Sequence, residues 1–71
     1  MIDTEKLEDA IKTSGLKKGF IAERLGLSRG GFTNCLQGKS EFRVGQIRTL
    51  CELLRLNHDQ INAIFFTASG G

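Results

Sequence analysis

KGFIAERLGLSRGGFTNCLQ, Lys18 to Gln37, is the stretch on which the fold turns. Two short helices that meet steeply through a tight turn make seven demands on such a window. Five positions must be apolar to hold the helices and the turn together, and Ile21, Leu25, Leu27, Phe32 and Cys35 supply them. One position must be small where the helices cross closest, and Ala22 stands there. One must leave the ordinary helical well where the chain reverses, which Gly26 does without steric cost. All seven demands are met. Ser28 precedes the second helix as its N-cap, since a hydroxyl can accept a free N–H of the first turn.

Helical spacing continues on both sides. From about Thr4 to Ser14, Leu7, Ala10, Ile11 and Ser14 share one face. Asp3 is placed to cap that helix, Ile2 and Leu7 to staple it, and Gly15 to end it. The second helix is expected over about Lys17–Leu25, with Ile21, Ala22 and Leu25 inward. The third follows Ser28, buries Phe32, Cys35 and Leu36, and stops at Gly38. A fourth runs from about Val44 to Leu54, with Val44, Ile47, Leu50, Cys51 and Leu54 toward the core. A fifth starts at Asn57, where Asn57 and Gln60 have capping-box spacing, and buries Ile61, Ile64 and Phe65. No segment alternates with period two, and no internal repeat or linker is expected. The expected fold is all-α: a compact five-helix bundle over residues 1–66, followed by a frayed tail at 67–71.

Size and composition narrow the class. Seventy-one residues make one small domain, too short for a two-lobed catalytic fold. Apolar residues at 39% and charged residues at 25% match ordinary globular usage, which argues against disorder throughout. An acidic start, Met1 to Glu5, and the lack of a long apolar run predict neither a secretory signal nor a membrane span. The chain reads as cytoplasmic. Cys35, Cys51 and His58 are too few for a usual zinc site or a disulfide framework, and the thiols fall on apolar helix faces as small hydrophobes. One His and scattered acids assemble no catalytic triad or carboxylate pair, so no enzyme, cofactor or small-molecule ligand is expected.

The net charge of +2 hides a gradient. Lys12 to Arg48 holds eight basic residues against two acids, whereas the preceding residues carry −3 and the following ones −1. A basic middle between acidic flanks suits a polyanion. The spacing of Lys18 to Gln37 is that of a helix-turn-helix, whose second helix lies in the major groove of DNA.

The residues IAERLGLSRGGFTNCLQGKSEF, 21–42, resemble the Cro and phage-repressor type (Xre-like) helix-turn-helix domain, a lambda-repressor-like fold. IRTLCELLRLNHDQINAIFF, 47–66, is similar to the closing helices of small phage-like members, so the resemblance spans residues 4 to 66. It implies a sequence-specific transcriptional regulator that reads double-stranded DNA with helix 3. Two departures stand out. Lys18 replaces the Gln that family members often carry at the start of helix 2, and a cation can serve the same phosphate. Gly30 and Gly31 stand in the first turn of helix 3, where members usually carry side chains. Such a pair marks either a weak helix start or a functional device, a close backbone approach to DNA or ordering on binding.

Among the outward residues of helix 3, Thr33 and Asn34 match base-reading positions of the family. A Thr methyl can meet thymine and an Asn amide can pair with adenine. Arg29 can reach guanine or sit on a phosphate, whereas Ser28 and Gln37 belong to phosphate positioning. Lys17, Lys18, Lys39 and Arg43 flank the motif where members grip the sugar-phosphate backbone. A module this small covers a half-site, so a homodimer on a two-fold operator is implied. Phe65 and Phe66 are the candidate dimer contact. They lie about 100° apart on one helix, so one ring is surplus to the core. Phe66 either closes over Leu7 or Ile11 or meets a second copy. An interaction module, such as an antitoxin-like or anti-repressor partner, is the alternative use of the fold.

Overall fold

The computed structural model describes residues 2–66, and every regular element among them is an α-helix: α1 Thr4–Ser14, α2 Lys18–Arg24, α3 Arg29–Leu36, α4 Val44–Leu53 and α5 His58–Phe65. The tail 67–71, expected to fray, lies outside the described residues.

The caps follow the side-chain chemistry. An oxygen of the Asp3 carboxylate accepts the Lys6 N–H at 3.1 Å, and Ile2 packs half-buried against the core that contains Leu7. The Ser28 hydroxyl accepts the Gly31 N–H at 3.0 Å. Asn57 and Gln60 close a full capping box, each side chain accepting the other's backbone N–H at 2.8–2.9 Å. Gly15, Gly26 and Gly38 all carry positive φ just beyond a helix end.

One core unites all five helices. Leu7, Ile21, Leu50 and Phe32 are its most enclosed large side chains, joined by Ile11, Ala22, Leu25, Cys35, Leu36, Leu54, Ile64 and Phe65. α2 packs on α3 and α4, while α1 packs on α3 and α5. The Asp3 N–H donates to the Ile64 carbonyl at 2.7 Å, stitching the start of α1 to the end of α5. Phe42, a lone aromatic in the polar loop after α3, is also buried, its ring 6.1 Å from that of Phe32 in an edge-on contact.

Three expectations are corrected. Val44 is 81% exposed rather than on the core side. The amide of Gln46 turns toward α2, where its Nε2 donates to the Leu25 carbonyl at 3.3 Å. At 100° per residue, Val44 then points away. Ile61 is only half-buried, because the core-facing stripe of α5 centres on Ile64 and Phe65. Phe65 is 5% exposed and Phe66 67%, so Phe65 belongs to the core, and Phe66 does not close over Leu7 or Ile11.

A local backbone conformation recurs. Leu25-Gly26-Leu27-Ser28 and Leu54-Arg55-Leu56-Asn57 build one and the same joint twice. The two leading leucines have φ,ψ of −88°,−4° and −87°,−4°. Gly26 and Arg55 take positive φ of 73° and 52°. Leu27 N–H reaches Ala22 O at 2.9 Å, and Leu56 N–H reaches Cys51 O at 3.1 Å. The recurrence is one of backbone conformation and apolar placement, with the two leucines identical and the other two residues changed.

Candidate nucleic-acid interface

α3 has two sides of opposite character. Phe32, Cys35 and Leu36 turn into the core, while Arg29, Gly30, Thr33 and Asn34 are exposed, as is Gln37 at the C-cap. Residues three and four apart share a helix face, so Gly30, Thr33, Asn34 and Gln37 form one outward stripe. Among the described residues, the side chains of Thr33, Asn34 and Gln37 make no hydrogen bond. Their donors and acceptors therefore face solvent ready for exchange. No acid stands on α3.

The two glycines separate. A Cβ on Gly31 would lie 3.2 Å from the Ser28 Oγ, crowding the cap, so Gly31 serves the helix start. A Cβ on Gly30 would meet nothing within 4 Å. Packing leaves the smallness of Gly30 unexplained.

The cations are exposed and differ in their engagements. Lys17 is the N-cap residue of α2, and Lys18 opens that helix. Lys18 Nζ lies 2.9 Å from an oxygen of Glu8 on α1, so it already has a counter-charge. Arg29 is close to α2 as well as on α3: a Cβ on Gly19 would lie 3.9 Å from Arg29 Nε. That brings Arg29 level with the lysines at the start of α2. Lys39 follows Gly38, its N–H donating to the Asn34 carbonyl at 2.9 Å, which fixes the backbone where α3 ends. Arg43 caps α4, and its N–H donates to Gln46 Oε1 at 2.9 Å.

Gln46 is the residue sequence reading missed. Its Oε1 caps the start of α4 while its Nε2 binds the end of α2, fixing the loop that carries Lys39 and Arg43 relative to α2. Its spacing from Arg43 signals the cap. The bond across 21 residues leaves no local trace. Cys35 and Cys51 are free thiols pushed up from their ordinary pKa by burial, so both stay neutral and pack as small apolar groups.

No family model, no curated protein and no solved structure matches this chain. The reading of the site therefore rests on its own geometry.

Proposed function

We propose that this protein is a sequence-specific DNA-binding transcriptional regulator in which α2, the turn at Gly26 and α3 act as a helix-turn-helix, as in the Cro and phage-repressor type. The observation that carries this reading is α3: an uncommitted polar stripe and no acid, flanked by Lys17, Lys18, Lys39 and Arg43. An α-helix with its side chains is about 10–12 Å across, which fits a major groove about 12 Å wide. In this reading Thr33 and Asn34 meet base edges, with Arg29 at the groove's rim. Ser28, Gln37 and the flanking cations hold phosphates, and the protein works in the cytoplasm.

The test is titration of duplex DNA at several salt concentrations. A negative slope of log affinity against log salt is expected, reporting several phosphate contacts, and Arg43→Ala should lower its magnitude by about one. Binding that ignores salt sinks the proposal.

Two copies on a two-fold operator suit so small a module, and Phe66, 67% exposed at the end of α5, is the proposed contact now that Phe65 lies in the core. Phe66→Ser should abolish a dimer in sedimentation while leaving the melting temperature nearly unchanged. An unaltered dimer excludes this ring. The same exposed ring is what favours the second reading, an antitoxin-like or anti-repressor module that docks on a foreign chain. Failure to bind any duplex selects that reading.

A further inference from the structure

The flanking cations are unequal. Lys18 alone is held in an ion pair among the described residues, its Nζ 2.9 Å from Glu8 Oε1. The pair bridges α1 and α2 at the side of a shallow groove lined also by Glu5, Asp9, Lys12 and Leu36. α1 thus brings the acidic flank of the sequence against a cation of the basic middle. Both side chains keep about half their surface in water, 52% for Lys18 and 44% for Glu8, so the ammonium is free to exchange partners.

We propose that Glu8 is a brake on DNA binding: its carboxylate holds the Lys18 ammonium and so makes that cation less available to a phosphate. This rests on the DNA reading of α2 and α3. A phosphate reaching Lys18 meets one of two situations. Either the ammonium leaves Glu8, and the protein loses the attraction between them, or it donates to both groups and brings two anions within a few ångströms. Each route subtracts from what Lys18 offers, whereas Lys17, Lys39 and Arg43 pay no such toll. Charges a few ångströms apart at an exposed site interact weakly and are screened by salt, so the effect is a factor of a few and fades as salt rises. Exposed pairs of this kind add little to stability, so Glu8 can be neutralised without unfolding the domain.

The experiment is a double-mutant cycle on one duplex, read as affinity and as salt slope in wild type, Glu8→Gln, Lys18→Ala and the double variant. Glu5→Gln serves as the control, because it removes an exposed charge from the same helix without touching Lys18, and thermal melts confirm that each variant folds. Glu8→Gln should tighten binding about three-fold at ~50 mM salt, more than Glu5→Gln does, and the gain should vanish when Lys18 is Ala. Lys18→Ala should lower the slope by well under one with Glu8 present, and by about one in the Glu8→Gln background. Equal gains from Glu8→Gln and Glu5→Gln, or a gain that survives in Lys18→Ala, overturn the brake but leave the DNA reading intact. Weaker binding by Glu8→Gln also overturns it, by making Glu8 a residue that positions Lys18. A wild-type protein that binds no duplex at low salt overturns the DNA reading and the brake together.

Discussion

The joint between α2 and α3 and the joint between α4 and α5 share one backbone conformation and surround it with different chemistry. The first places Gly26 at its left-handed position, the second Arg55. The helix after the first joint has one cap bond, from Ser28, two glycines in its first turn and no acid. The helix after the second has a complete capping box and Asp59 in its first turn, where a carboxylate complements the helix dipole. Stability is built into α5, and an open, acid-free face is left on α3. The same turn delivers a helix in both places. What differs is how much of that helix is committed to its own fold.

The sharpest way to break this comparison is in the apolar residue that each joint sends inward. Phe32 is almost wholly enclosed, whereas Ile61, at the matching place, is half-buried. Phe32→Ala should cost about 3–5 kcal/mol, a large part of the stability of so small a domain, and Ile61→Ala about 1–2 kcal/mol. Urea unfolding of the two variants measures both, and equal losses would mean that the joints are buried alike.

The outward faces come next. Asn34→Ala should cost ~1–3 kcal/mol at a single base position with little change in non-specific affinity. Asn62→Ala, on the exposed face of α5, should leave binding unchanged. Competition between duplexes that differ at one base pair separates the two. Uniform weakening across all duplexes would make Asn34 a positioning residue.

The turn residues sharpen the comparison further. Arg55 holds φ of 52°, a conformation that costs a residue with a Cβ about 1–2 kcal/mol. Arg55→Gly should recover about 1 kcal/mol, and Gly26→Ala should lose about as much. Thermal melts that move in the same direction for both would dissolve the equivalence of the turns.

The smallest effect is expected at Gly30. Open space surrounds it, so Gly30→Ala should stabilise α3 by about 0.5–1 kcal/mol. If its backbone approaches DNA closely, the same variant binds less tightly although it melts higher. A higher melt with unaltered binding leaves Gly30 as a weak point of the helix and nothing more.

Local chemistry was enough to place the elements. Capping side chains, positive-φ glycines and apolar spacing are encoded within a few residues of where they act, so Asp3, Ser28, Asn57, Gly15, Gly26 and Gly38 could be read directly. The exposed stripe of α3 was legible for the same reason, because a helix that buries Phe32, Cys35 and Leu36 must turn Thr33 and Asn34 outward. What periodicity could not supply was where one helix stops covering another. Val44 continues the apolar spacing of α4, but at a turn where the contact with α2 is made by Gln46 instead. Phe42 has no periodicity to betray it, and it is buried because the loop passes Phe32.

The sequence by itself determined the five helices, their ends and the polar face of α3, because each depends on neighbours within about one helical turn. Only the tertiary structure decided which apolar residues found cover, that Gln46 locks α4 to α2, that Arg55 repeats the turn of Gly26, and that Glu8 reaches Lys18. Apart from the turn at Arg55, which is local, those outcomes depend on groups ten or more residues apart meeting at ångström distances, and the packing of the five helices sets those distances.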